Sequence, residues 1–448
     1  MSPLLQRFRR LITPLGLDPL VPLLLVAAVV GGVSALMVEG FRLAMVALIH
    51  LYSAQDHLVA AATGLTGWQR ALIPAVAAGL GGLVLWVGHR WVQGARGPEY
   101  MEAVRIGDGR LPLAPNFVRT GSSLLAVSGG ITIGHEGTMI QFAALVSSML
   151  GRWGRFDEAQ RRLIVACGAA AGFAAAYHAP IAGTLFVAEI ILGSLQLREV
   201  AAVLVAAVMG ELTMQSLLGT APLYLAPAVP PIGFADMLEA VVLGVLAGGL
   251  GPAFLWLLDA SRHRCQALIR FLPVRMALAG LVIGGLSWVS PQVWGNGYGA
   301  VQSLLVQPWT LSAAALLFLL RLLAVSAASA AGIPGGVLTP TLALGAALGV
   351  MAPHVALWPH AHADQALWTL VGMGSLLAAT THAPAMSAIM MFEVTRDYNV
   401  VMAAMPACVI ASVIGSLLRR RTVYSEALGL KEGDAPPTLG DASPPPSA

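Results

Sequence analysis

The 448 residues are 57% hydrophobic and only 10% charged, with a formal net charge of +3. An ordinary soluble domain is about one quarter charged, so this composition cannot solvate a soluble globule of this length and excludes a soluble enzyme with a large core. The basic residues sit at the chain ends and in short connections, which excludes a nucleic-acid partner. Apolar runs near the ~20 residues needed to span a bilayer predict an all-α polytopic membrane protein embedded in lipid.

In chain order, Arg7, Arg9 and Arg10 precede the first apolar run, and Arg419, Arg420 and Arg421 follow the last. Under the positive-inside rule both termini are cytoplasmic and the number of crossings is even. Residues 1–19 read as a cytoplasmic N-terminus. The stretch from Leu20 onward has no convincing cleavage site and continues past Glu39, so it is not a removable signal. Membrane segments are expected near 20–50, 71–92, 117–150, 162–193, 197–218, 236–258, 274–290, 311–328, 333–352, 366–395 and 400–418. Two of them, around 128–144 and 329–352, are studded with Gly and Pro, and those around 167–193 and 371–395 carry "HAP" in their middle. Proline breaks a helix, and in lipid a broken helix survives only where protein or a cavity lining satisfies the freed backbone. The end of the chain, 426–448, is Pro-rich and polar and is expected to be a disordered cytoplasmic tail with no regulatory domain. Cys167, Cys265 and Cys408 are scattered through apolar segments, an odd count without metal-binding spacing, and read as small core residues.

The broken segments repeat. "GAAAGFAAAYHAPIAGTLFVAEI" (168–190) aligns with "GMGSLLAATTHAPAMSAIMMFEV" (372–394), so that His178, Ala179, Pro180 and Glu189 fall on His382, Ala383, Pro384 and Glu393 at one constant spacing. Gly134 and Thr138 match Gly335 and Thr339 at nearly the same offset. Two halves with interrupted helices at corresponding positions point to a transport protein of inverted repeats, with its site at the repeat interface. The halves are taken as 20–220 and 221–425.

Gly-rich breaks inside a membrane expose helix N-termini, whose free N–H groups carry roughly half a positive charge and bind anions without a fixed lysine or arginine that would hold the ion too tightly to pass. "GIPGGVLTP" (332–340) is such a break, with the N–H groups of Val337 and Leu338 aimed into it, and "GHEG" (134–137) is its partner. No Lys or Arg occurs in either break. Glu136 is the one carboxylate there. An intramembrane acid is by default a functional group: when ionised it would occupy the same N–H groups as a permeating anion, and when protonated it would swing away, acting as a proton-sensitive plug.

At these residues the chain resembles the CLC family of chloride channels and proton/chloride antiporters, over residues 20–425. "GHEGT" resembles the family's G-[KR]-E-G-P, "GGVLTP" its G-x-F-x-P, and "VYSEAL" (423–428) its C-terminal tyrosine segment. "GPEYMEAV", "VWGNGYGAVQS" and "LAATTHAPAMSAIM" look closest to the ClcB branch of bacterial inner-membrane members. The resemblance implies a CLC-type architecture of two inverted-topology repeats with broken helices, assembled as a homodimer with one pore per subunit. It implies a gate at Glu136 and a chloride site made by the N–H groups of Val337 and Leu338 and the hydroxyl of Tyr424, with Gly134, Gly137 and Gly336 shaping it. No cofactor is implied; chloride is the bound substrate ion.

Three departures stand out. The family's serine ligand best matches "GARGP" (94–98), which puts Ala95 where a hydroxyl should be and Arg96 beside it. Leu338 replaces the usual Phe, and Thr138 the Pro after the gate. The proton-relay glutamate of well-coupled antiporters follows another Glu, and that slot is Ile190 after Glu189. Isoleucine carries no proton, and Glu189 is rotated about 100° away around a helix. His135 beside the gate is of the residue type that changes charge near neutral pH, although a solvated histidine at a pore mouth is the plainer expectation. His354, His360 and His362 read as loop residues.

Other classes fare worse. "HEGTM" starts like a zinc-protease motif, but Met139 stands where the second histidine would be, and there is no G-x-S-x-G elbow, so no enzymatic activity is expected. A cation-coupled carrier would need midplane carboxylates, whereas Glu39, Glu211 and Glu239 lie toward segment ends. The reading is therefore chloride transport across a bacterial inner membrane, as a voltage-gated channel serving as an electrical shunt. Proton-coupled exchange is the alternative, with protons as a second partner and a path through Glu136, Glu189 and the Ile190 slot.

Overall fold

Each apolar run becomes a helix, and the Gly, Pro and capping residues between runs set the ends, in the computed structural model, which describes residues 20–92, 99–153, 156–193, 196–354 and 365–425. The first half contains α1 (Leu20–Ile49), α2 (Leu58–Gly64), α3 (Gly67–Trp91), α4 (Tyr100–Arg105), α5 (Leu113–Ser128), α6 (Glu136–Trp153), α7 (Glu158–Tyr177), α8 (Pro180–Leu185, running on as a π-helical turn Phe186–Leu192) and α9 (Leu197–Leu218). The second contains α10 (Phe234–Leu268), α11 (Leu272–Leu286), α12 (Tyr298–Val306), α13 (Leu311–Ala330), α14 (Leu338–Met351), α15 (Gln365–Thr381), α16 (Pro384–Thr395) and α17 (Asn399–Leu418). Six of these, α1, α3, α9, α10, α13 and α17, are long and apolar enough to cross a membrane. Among the described residues there is no sheet, only one isolated backbone bridge, Gly134 to Gly336.

Local chemistry explains the ends. Asp157 caps α7 through Gln160 N–H at 2.8 Å, with Gln160 reaching back in a capping box. Thr310 caps α13 through Ala313 N–H at 3.3 Å. Both "HAP" motifs are the same corner. His178 and His382 end α7 and α15 in the left-handed region (φ 54° and 57°), the alanine before proline is held out of the helical region, and Pro180 or Pro384 starts the next helix at its first turn. The helix-breaking proline thus marks the junction of two helices.

Two expectations shift. The stretches 117–150 and 162–193 each resolve into two helices, as their breaks implied, but α10 runs well beyond the expected 236–258, through "DASRHRCQAL" to Leu268. Hydropathy fails where charges begin, while good helix formers keep the helix going past the apolar region. The short α2, α4 and α12 were not anticipated; each is under ten residues long and lacks a period to read.

The repeat is visible in the packing. In the first half α1 packs on α9 and α7, α6 on α7, and α7 on α9; in the second α10 packs on α17 and α15, α14 on α15, and α15 on α17. The pairs α3 with α11 and α8 with α16 join one half to the other, as does α2 against the turn Pro291–Val293. Small residues let these helices touch backbone to backbone: a Cβ on Gly372 of α15 would lie 2.3 Å from Gly345 O of α14, and one on Gly349 only 2.0 Å from Trp368 O. Large apolar side chains such as Val29, Leu36 and Leu43 of α1 face outward instead, as a lipid-facing surface requires.

Gly372→Ala is therefore expected to destabilise the fold by about 1–3 kcal/mol, the range for overpacking, seen as a lower thermal unfolding midpoint in detergent. Gly249→Ala on α10, where nothing lies within 4 Å of the added Cβ, is expected to be neutral or slightly stabilising in the same measurement.

Candidate functional site

The two Gly-rich breaks meet. Gly134 N–H donates to Gly336 O and Gly336 N–H to Gly134 O, both at 2.7 Å. The approach leaves no room for side chains, because a Cβ on Gly137 would sit 3.0 Å from Gly336 N and one on Gly335 2.9 Å from Gly134 O. The bridge holds the N-terminal tip of α6, starting at Glu136, against that of α14, starting at Leu338. The first N–H groups of a helix have no partner inside it. On α14 those of Val337, Leu338 and Thr339 precede the bond from Thr341 N–H to Val337 O at 2.9 Å, and on α6 Thr138 and Met139 N–H both turn to His135 O at 3.0 Å. Two partial positive charges thus converge inside the protein with no lysine or arginine in either break.

The structure brings together Gly134, Glu136, Gly137, Gly336, Val337 and Leu338, the residues named for the gate and the anion. Two details differ from expectation. Gly134 and Gly336 use their N–H groups on each other, so neither offers a donor to an anion. The Glu136 carboxylate, 1% exposed, accepts no backbone N–H among the described residues; its Oε1 accepts a hydrogen bond from Asn296 Nδ2, and its Oε2 has no partner. The physical reason is that a loop from the second half brings a side-chain amide closer than either helix tip. Around the carboxylate stand His135, whose Nε2 is 3.6 Å from Oε1, and the phenols of Tyr177, Tyr224 and Tyr298, all within its electrostatic reach. His135 is buried and packs edge-on against Tyr298 at 6.2 Å, so the expectation of a solvated histidine is corrected: the loop and the tyrosines cover it.

An arginine that the sequence reading passed over supports this loop. Arg321, fully buried in α13, donates from Nη1 to Gln292 O at 2.7 Å and from Nη2 to Gly295 O at 3.3 Å. Gly295 N–H in turn donates to Gly130 O at 3.1 Å, so the expectation of no cation near the breaks holds in sequence and fails in space. The available signal was a lone Arg inside the apolar run 311–330, an intramembrane charge of the kind that marks a working site. Asn296 gave a weaker one, a polar residue between two glycines.

On the other side of the tips a chain of aromatic contacts leads to Tyr424. The Tyr177 hydroxyl shares a hydrogen bond with Thr339 Oγ1 at 2.8 Å. Tyr177 packs on Phe173 at 4.7 Å, Phe173 stacks on Phe186 at 4.9 Å, and Phe186 meets the ring of Tyr424 edge-on at 5.7 Å. Tyr424 belongs to the same apolar cluster as Leu338, and Val423 N–H fixes its segment to Thr380 O of α15 at 3.0 Å. Ala95 and the rest of 94–98 lie outside the described residues, as do Arg96, His360, His362 and the tail beyond residue 425. His354 is described and takes Nδ1 to within 3.0 Å of Val350 O in a helical turn.

Glu189, the residue considered for a proton path, stands away from the gate in a different role. Its Oε2 accepts Met386 N–H at 3.0 Å, at the start of α16. Its repeat mate Glu393 accepts Ile181 N–H at 2.9 Å and Ala182 N–H at 2.7 Å, at the start of α8. Each half thus caps the other half's post-proline helix with a carboxylate. Ile190 is buried in the same core.

The family profile described as "Voltage gated chloride channel" matches residues 76–416. Among curated relatives, the chain is 41% identical over 410 residues to the "Voltage-gated ClC-type chloride channel ClcB" of Citrobacter koseri and 42% identical over 411 residues to that of Escherichia coli. In both cases 90% of this chain and 98% of the relative are covered. Its fold is similar to that of a slow cyanobacterial Cl−/H+ antiporter, with a TM-score of 0.80 and 24% identity over 92% of this chain and 98% of that one. It is also similar to a CLC-type fluoride/proton antiporter, with a TM-score of 0.73 and 22% identity over 90% and 97%.

Because the carboxylate caps hold the halves together, Glu393→Ala is expected to leave the buried Ala182 N–H unpaired, at about 1–3 kcal/mol, together with the part-buried Ile181 N–H, and to lower the thermal unfolding midpoint. Glu393→Gln, which keeps one acceptor oxygen, is expected to lose clearly less in the same assay.

Proposed function

The chain belongs to the voltage-gated chloride channel family, in its ClcB branch, and from that premise we propose that it conducts chloride across a bacterial inner membrane through a pathway gated by Glu136. The observation that carries this reading is the position of Glu136: a buried carboxylate on one of two abutting helix tips, with one oxygen unpartnered.

The mechanism follows from charge. A chloride entering the membrane interior loses its water, and the free N–H groups of Val337 and Leu338 replace it with preorganised partial charges. Dipoles attract the ion without the depth of a full ammonium or guanidinium charge, so it also leaves. The hydroxyl of Tyr424, at the far end of the aromatic chain, adds a neutral donor on the cytoplasmic side. While ionised, Glu136 repels the anion and blocks the outer end; once protonated it loses both its charge and its hold. Flux therefore rises as the external pH falls.

Conduction is favoured over exchange by the engagement of Glu189. A coupled exchanger needs a second proton carrier on the inner side. Ile190 has no titratable group, and the Glu189 carboxylate is occupied by the N–H of Met386. The resemblance further implies two subunits side by side, each with its own pathway, and both termini in the cytoplasm.

Glu136→Gln, a neutral mimic of the protonated side chain, is expected to keep chloride flux in proteoliposomes and to lose its dependence on external pH between about 4 and 8. A Gln variant that kept the wild-type acid response would overturn the gate. For the wild type, the reversal potential at fixed chloride is expected to stay constant when a proton gradient is imposed. A shift toward the proton potential would make the protein an exchanger.

A further inference from the structure

Glu136 is held from across the repeat: the amide of Asn296, in the other half of the protein, donates to its Oε1. We propose that Asn296 is the latch of the gate: its amide donates to Glu136 Oε1 in the shut state, and breaking that bond is the opening step. This rests on the gate reading above and adds the partner that sets how readily the gate opens.

The loop carrying Asn296 is built to keep it still. A short 3-10 turn, Pro291–Val293, leads into Gly295 and Gly297, whose φ angles of +73° and +125° turn the chain sharply on either side of Asn296. Val293 O accepts from Thr132 Oγ1 at 2.6 Å and Gly295 N–H donates to Gly130 O at 3.1 Å, which ties the loop to the first half's break. Arg321 holds the carbonyls of Gln292 and Gly295 from the opposite side. Asn296 is 5% exposed, and its Oδ1 accepts Tyr298 N–H at 3.2 Å. That second bond fixes the amide's orientation: with the oxygen occupied, the NH2 group faces the carboxylate. The donor cannot follow Glu136 when the side chain moves, so opening breaks the bond.

The bond also reads the charge of the gate. An amide donates more strongly to a carboxylate than to the neutral acid, and a charge-assisted bond is roughly twice as strong as a neutral one. The other groups facing Glu136 are His135 from its own break, Tyr177 from α7, Tyr224 from the loop before α10 and Tyr298 from α12. Arg321 of α13 lies behind the loop, with its guanidinium turned to backbone carbonyls. Of these, Tyr298 also has a side-chain hydrogen bond with the carboxylate and His135 Nε2 stands 3.6 Å from Oε1, while the amide of Asn296 donates to that oxygen directly. Removing the donor takes away stabilisation specific to the ionised, shut state, so the gate opens at a higher pH.

The test measures chloride efflux from proteoliposomes against external pH for the wild type, Asn296→Ala, Asn296→Asp, Glu136→Gln and the Asn296→Ala/Glu136→Gln double variant. Asn296→Ala is expected to raise flux at neutral pH on the order of tenfold and to move half-activation about one pH unit toward alkaline. Asn296→Asp keeps the acceptor for Tyr298 N–H, so it preserves the loop should alanine unfold it; it sets a like charge against Glu136 and is expected to shift the profile the same way. The double variant is expected to match Glu136→Gln alone. An unchanged profile in the Asn296 variants, or one moved toward acid with lower flux, overturns the latch while a flat Glu136→Gln profile still supports the gate. A Glu136→Gln profile that keeps its acid response sinks the gate itself, and the latch with it.

Discussion

The structure depends on one contact made without side chains, the pair of 2.7 Å hydrogen bonds between Gly134 and Gly336. Two helices that begin inside a membrane each have unpaired N–H groups and a positive end, and two such ends repel. The bridge overcomes that repulsion by letting the two breaks satisfy part of each other's backbone, an approach in which a Cβ on Gly134 would lie 2.8 Å from Gly336 O and one on Gly335 2.9 Å from Gly134 O. What is left over, the N–H groups of Val337, Leu338 and Thr339 and the start of α6, forms a patch of positive potential with Glu136 at its edge. Such a patch favours negative charge, which is the physical basis of the proposed anion pathway.

Holding two repelling tips together needs support elsewhere, and the carboxylates at the post-proline corners provide it. Glu189 and Glu393 are ionisable groups in apolar surroundings, which ordinarily would mark them as moving protons. Here each reaches across to the other half and accepts N–H groups at the start of α16 or α8. A negative group at a helix N-terminus is favourable, and because the pairing is reciprocal it fastens both ends of the interface. The same physics that favours an anion at the free helix starts closes the frame around them, where the capped starts take a fixed carboxylate.

Much of this was legible in the residues. The paired "HAP" corners and the Gly-rich breaks pointed to the broken helices and to the meeting of the two breaks around Glu136, because backbone-breaking residues inside apolar runs have few physical explanations. The alignment of the breaks was off by one residue. The structure sets Glu136 against Leu338 and Gly134 against Gly336 as equivalent positions, one residue from the match of Gly134 with Gly335. What could not be read was who touches whom across the halves. That Asn296 reaches Glu136, that Arg321 braces the loop and that Glu189 caps α16 are facts of tertiary approach between residues far apart in the chain, and no local pattern encodes them.

The equivalence of Glu136 and Leu338 shows where function departs from symmetry. An inverted repeat places two like helix tips on opposite sides of one centre, so by architecture alone a gate could stand on either. The sequence puts a carboxylate on one tip and a buried leucine on the other, and then brings the second half's loop to hold the carboxylate. The corner histidines diverge in the same way: His178 faces Glu211 at 3.1 Å, while both ring nitrogens of His382 have no hydrogen-bond partner among the described residues. A duplicated frame therefore carries unlike residues at equivalent positions: an acid with an amide partner on one tip and an apolar side chain on the other. That difference gives the repeat interface a polarity that two identical halves could not have produced.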